Sequence, residues 1–87
     1  MENRSNFIKK LIYRSKYTGT RETDILLGNF AENYINNLND AELLAYQKLL
    51  DSGDPRIWRL SIDIEPTKSE QEKFIIKMIK KYKGFNV

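Results

Sequence analysis

At 87 residues the chain is one small domain, near the lower size at which a hydrophobic core holds without covalent staples. It has no cysteine and no histidine, which excludes disulfides and thiolate metal sites and removes the commonest general base and metal ligand. The net charge of +3 conceals a partition: residues 1–21 carry six Lys/Arg against Glu2 alone, residues 22–55 carry Lys48 against seven acids, and residues 56–87 carry eight basic residues against four acids.

In chain order, residues 6–16 place Phe7, Ile8, Leu11 and Ile12 on one helical stripe, with Ser5 or Asn6 as the cap. Gly19 stops this helix, since glycine tolerates the left-handed backbone that commonly ends one. Thr20 caps a second helix over residues 21–37, with Glu22 and Asp24 near its positive end. Leu27, Phe30, Ala31, Tyr34 and Leu38 recur at the spacing of a buried face, which Ile25, Leu26 and Ile35 widen, so this is the core helix. Asn39 and Glu42 form a capping box that opens a third helix to about residue 51, burying Leu43, Tyr46, and Leu49 or Leu50, with Leu44 buried in part. Asp54 as a cap with Pro55 at the first helical position starts a fourth helix over residues 55–62. That helix offers Ile57, Trp58 and Leu60 or Ile62 to the core. Ser69 with Glu72 repeats the capping-box pattern and opens a fifth helix to about residue 83, with Ile75, Met78, Ile79 and Tyr82 in register and Gly84 at its end. The expected fold is all-α: a compact five-helix antiparallel bundle forming a single domain over residues 1–87, its ordered core spanning about 6–83.

Little in the chain suggests catalysis. Glu22 with Asp24 and Glu70 with Glu72 are the carboxylate pairs, and positions two apart on a helix point to different sides. Ser15 beside Lys16 is poor geometry for proton transfer, and Gly19 lacks the glycine-rich context of a nucleotide loop. No catalytic residue and no metal site is expected. A small basic helical nucleic-acid-binding domain is the alternative. It would use Lys9, Lys10, Arg14, Lys16 and the basic face of residues 77–83, with Tyr13 and Tyr17 interleaved for stacking. The plainer reading has one of those tyrosines packed on the bundle and the other lying over it, and Trp58 as a core anchor. A nucleic-acid binder more often shows one continuous basic face, whereas alternating blocks suit docking on a protein of mixed charge. Most of these charges are also accounted for as the solvated faces of a small domain. No apolar run approaches the ~20 residues of a membrane span, and the start of the chain reads as neither signal nor transit peptide. The simplest location is the bacterial cytoplasm.

One longer pattern is specific. Arg14-Ser15-x-x-Thr18-Gly19-x-x-Glu22-x-Asp24, continuing as Leu26-Leu27-Gly28-x-Phe30-Ala31, resembles the signature of the SdhE-type succinate dehydrogenase assembly factors, or flavinators. Leu38 before the capping box, Tyr46 with Leu49-Leu50, and Asp54-Pro55 with Trp58 also fit. The resemblance covers roughly residues 7–60, and the last helix adds no motif. It implies a small helical bundle that promotes covalent attachment of FAD to the flavoprotein subunit of succinate dehydrogenase, with fumarate reductase a further target in some bacteria. The chain would bind no cofactor stably, since FAD ends on the partner, and a monomer is expected. The implied partner-binding residues are Arg14, Thr18, Gly19, Arg21, Glu22 and Asp24. The family's hallmark is Arg-Gly-x-x-Glu; Gly19 and Glu22 match it, and Thr18 stands where arginine is expected. Threonine cannot supply the bidentate, charged donor that arginine would.

Overall fold

The computed structural model describes residues 3–85, with side chains through Lys81. The expected Tyr82 contact therefore lies outside the described residues. Among the described residues five α-helices follow one another, α1 (Arg4–Lys16), α2 (Arg21–Tyr34), α3 (Asp40–Asp51), α4 (Asp54–Ser61) and α5 (Glu70–Phe85), with one 3-10 turn at Ile35–Asn37. The fold is all-α, as the periodicity predicts.

The ends of the helices depart from the sequence reading in instructive ways. The Asn3 side chain accepts from the Asn6 amide, so α1 starts two residues earlier than residue 6. α2 closes at Tyr34, and the next three residues tighten into the 3-10 turn that delivers Leu38 to the core. The Asn39–Glu42 box forms in full, with both reciprocal bonds at 2.8 Å. Asp54 is not the cap of α4: Gly53 takes that position at φ 93°, a conformation an L side chain rarely adopts, and Asp54 is already helical. The second capping box is half made. Ser69 Oγ accepts from the Glu72 amide at 3.1 Å, but the Glu72 carboxylate turns to Arg56 and the Lys68 amide instead. α5 continues through Gly84, since one glycine weakens a helix by only about 1 kcal/mol without forbidding it.

A single apolar cluster joins all five helices. Ile8 and Leu11 come from α1, Leu26, Leu27, Phe30 and Ala31 from α2, Leu43, Tyr46, Leu49 and Leu50 from α3, Ile57 and Leu60 from α4, and Ile75, Ile76 and Ile79 from α5. Phe7, Ile12, Trp58 and Met78 pack against its edge. α2 supplies the centre, touching α1, α4 and α5. α1 lies close to α2 at Gly28, where a Cβ would stand 3.4 Å from the Lys16 stem, at ordinary contact distance. The Phe30 and Tyr46 rings tilt together at 5.5 Å. Burial keeps the Tyr46 phenol neutral by raising its pKa, and its hydroxyl meets Ser15 Oγ at 2.6 Å. Ser15 also donates to the Leu11 carbonyl, so neither buried hydroxyl is orphaned. Ile25, Leu44 and Ile62, offered to the core by their spacing, are exposed. Tyr34 is on the surface too, its ring stacked 6.0 Å from Phe30.

The charge blocks are largely complementary to one another. Arg4 pairs with Asp40, Arg14 with Asp51 at 2.8 Å, and Lys16 with Glu32, each joining the first basic block to the acidic one. Exposed pairs of this kind contribute at most about 1 kcal/mol each. The exception is Arg56, buried beneath the loop between α4 and α5. Its guanidinium makes a two-pronged contact with Glu72 at 2.7 and 2.8 Å and a 2.7 Å contact with Glu65, which also accepts from Arg59. Arg56 holds the Glu72 carboxyl below the ordinary glutamate range, and Arg59 leads in doing the same for Glu65. Removing a partner from a buried ion cluster leaves uncompensated charge. Arg56→Ala should therefore lower the unfolding free energy in urea by about 3 kcal/mol, while Arg14→Ala should cost less than about 1 kcal/mol. Equal losses would mean that burial does not set the hierarchy.

Candidate functional site

Four residues, 17 to 20, connect α1 to α2, and nearly all the residues singled out from the sequence lie on or beside them. The Tyr17 amide bonds to the Arg14 carbonyl and closes α1 at Lys16, where the sequence reading ends it. Gly19 is exposed and sits at φ 137°, so its freedom is needed for the corner itself rather than for a helix cap. Thr20 then caps α2, its hydroxyl 3.5 Å from the Thr23 amide.

Two carboxylates hold this corner from opposite sides. Asp24 reaches back from α2 so that its Oδ1 accepts from both the Thr18 amide and the Thr18 hydroxyl, the latter at 2.6 Å. The Thr18 hydroxyl, then the Thr18 amide and more weakly the Gly19 amide, hold the Asp24 carboxyl below the usual aspartate range, against some desolvation. Asp54 arrives from α4. Its Oδ1 lies 3.1 Å from Thr20 Oγ1, and its Oδ2 would sit 3.5 Å from a Cβ at Gly19.

Of the six expected contact residues, the structure brings Thr18, Gly19 and Asp24 into one hydrogen-bonded turn. Thr18 is committed to Asp24 by both its amide and its hydroxyl. Arg14 is drawn aside to Asp51. Arg21 and Glu22 are exposed, and among the described residues neither side chain has an ion-pair or hydrogen-bond partner. Arg21 borders a shallow groove with Ile25 and Asn29, while Glu22 borders a cleft floored by Pro55 and Trp58. The corner thus offers one guanidinium and one carboxylate on a braced turn. Among the described residues there is no group of His, Cys, Asp and Glu side chains fit to hold a metal ion. The tyrosine expectation is corrected: Tyr13 and Tyr17 are both 67% exposed, their rings 4.8 Å apart on the outer face of α1, where an i, i+4 pair meets without reaching the core. Asp54 is the site residue that sequence reasoning missed. Its partner is 34 positions away, and no local spacing signals that contact.

The sign of the Asp24 shift fixes how the corner responds to pH. A carboxyl held below its unfolded value near 3.9 supports the fold fully above that value and loses its contribution as pH falls through the folded pKa. Amide exchange at residues 18 and 19, corrected for intrinsic rates, should keep constant protection between pH 7 and 5 and lose it only below about pH 4. Asp24→Asn should weaken that protection across the whole range.

The chain matches the family model described as the flavinator of succinate dehydrogenase over residues 9–83. It is 41% identical over 63 residues to the mitochondrial succinate dehydrogenase assembly factor 2 of Caenorhabditis briggsae, covering 72% of this chain and 51% of that protein. With the protein of the same name from Dictyostelium discoideum it shares 37% over 71 residues, covering 82% of this chain and 50% of the relative. With assembly factor 2-B of Drosophila ananassae it shares 32% over 74 residues, covering 83% and 45%. The chain spans about half the length of these curated relatives. No solved structure matches it significantly. The expected bacterial cytoplasmic location is overturned, since these relatives are eukaryotic proteins named as mitochondrial. The nucleic-acid alternative gains no support from the matches, and Arg14 and Lys16, two of its cations, are already paired with acids. Matched by the family model over residues 9–83, this chain belongs to the flavinator of succinate dehydrogenase family.

Proposed function

We propose that the chain is an assembly factor that promotes covalent attachment of FAD to the flavoprotein subunit of succinate dehydrogenase. It docks on that subunit through the α1–α2 corner, works as a monomer and holds no FAD stably itself. The observation that carries this reading is the family match over residues 9–83, a span that contains the corner and most of the core beneath it. The names of the relatives support succinate dehydrogenase as the target.

The corner's chemistry suits a helper better than a catalyst. Arg21 and Glu22 can engage opposite charges on a partner, and the nearby carboxylates of Asp24 and Asp54 are occupied in holding the turn. Acceleration then comes from holding the flavoprotein in the conformation where the flavin and its attachment residue meet, which converts binding free energy into orientation. Gly19 contributes by keeping the apex of the turn free of side chain, so a partner surface can approach the backbone closely.

The test is co-expression with a succinate dehydrogenase flavoprotein subunit in a host lacking its own assembly factor, read as in-gel flavin fluorescence after denaturation. Fluorescence should depend on this chain. Glu22→Ala and Arg21→Ala should each lower it several-fold with unchanged helicity, because both side chains are exposed and have no partner among the described residues. Flavinylation that proceeds equally without the chain, or with both substitutions combined, would overturn the reading.

A further inference from the structure

We infer that Asp54, in the first turn of α4, is a positioning residue for the docking corner; the inference rests on the assembly-factor reading above. Asp54 is separated from the corner by 34 positions of sequence, yet its two carboxylate oxygens bracket it. Oδ1 accepts from the Thr20 hydroxyl at 3.1 Å, and Oδ2 faces Gly19. A carboxylate can only accept, so the Thr20 hydroxyl is the donor to Asp54. The same hydroxyl faces Thr23 Oγ1 at 3.1 Å, so its one proton is shared between the two oxygens, while a Thr20 lone pair accepts from the Thr23 amide. The chain from α4 to α2 is therefore Asp54, Thr20, Thr23, with Thr23 fully buried.

What this achieves is a second restraint on a turn that needs two. Asp24 fixes residue 18 and the start of the turn, and Asp54 fixes residue 20 and its end. Gly19 lies between them in a conformation that few residues share, with no side chain of its own to anchor it. Arg21 and Glu22 follow Thr20 directly, so the direction in which they leave the surface is set by where Thr20 is held. Gly53 makes the reach feasible: its φ of 93° starts α4 abruptly and puts Asp54 at the lip of the cleft shared with Glu22. Asp54 has no ion pair among the described residues; its carboxylate lies in the first turn of α4, where the helix dipole favours it, and accepts from the Thr20 hydroxyl.

The experiment compares Asp54→Ala with Asp54→Asn, the second retaining an oxygen acceptor for Thr20. In the free protein, amide exchange over residues 18–22 should accelerate in Asp54→Ala, stay near wild type in Asp54→Asn, and leave protection in α3 and α5 unchanged in both. Affinity for the isolated flavoprotein subunit should fall about tenfold in Asp54→Ala, the size of one hydrogen bond to a charged group, and be largely restored in Asp54→Asn. Thr20→Val should weaken binding comparably, and its combination with Asp54→Ala should be no worse than either alone. Unchanged exchange at the corner overturns the inference, as does wild-type affinity in Asp54→Ala. Equal loss in Asp54→Ala and Asp54→Asn with no effect of Thr20→Val would make Asp54 a direct charge contact, which also overturns it. A wild-type chain that fails to bind the flavoprotein overturns the underlying functional reading, whereas the exchange result still reports on the brace.

Discussion

The structure depends on one constraint: the chain must leave α1 and enter α2 within four residues while the last turn of α1 stays pressed against Gly28, well along α2. Only a residue free to adopt positive φ closes that connection without strain, and the residue there is Gly19. The remaining polar groups of the corner are arranged around this necessity. Thr18 has its amide and hydroxyl on Asp24, Thr20 has its hydroxyl shared between α2 and α4, and Lys16 is tied to Glu32 on the far side of Gly28. A short connection made rigid in this way fixes the relative placement of α1, α2 and α4, and the core of leucine, isoleucine and aromatic side chains fills what that placement leaves.

The fold was readable in the sequence because helical periodicity and capping are local. The Asn39–Glu42 box, Thr20 as a cap and the Phe30 stripe all depend on residues three or four apart, and all appear in the structure, save that Tyr34 leaves the stripe for the surface. The misreadings come from groups whose partners lie far along the chain. Asp54 reads as a cap and Glu72 as the acid of a capping box, and each side chain has a distant partner instead: Thr20 for one, Arg56 for the other. A charged side chain near a buried guanidinium gains more than it does from its own helix end. Such competition cannot be judged from spacing.

The candidate site divides along the same line. Gly19 and its neighbours were legible as a motif, since the residue types and their order form a long joint pattern. The roles within the motif were not. Thr18 and Asp24 read alike with Arg21 and Glu22 as contact residues, whereas the fold commits the first two to each other and leaves the second two exposed. Thr18 with Asp24 also recasts the missing arginine at this position: the residue that stands there closes the turn, and the arginine closest to Gly19 along the chain is Arg21.

The inward pairing of charge has a consequence for how two proteins meet. Close to the corner, Arg14 and Lys16 are matched by Asp51 and Glu32, while Arg21 stands among three acids that have no ion pair among the described residues, Glu22, Asp24 and Asp54. The excess of carboxylate gives the corner a negative field, which salt screens beyond about 10 Å. The corner therefore favours a basic surface at close range and discriminates by fit at contact. Encounter through it is helped by that charge and slows as ionic strength rises. Selectivity is then expressed in how long the complex lasts once the turn has been matched.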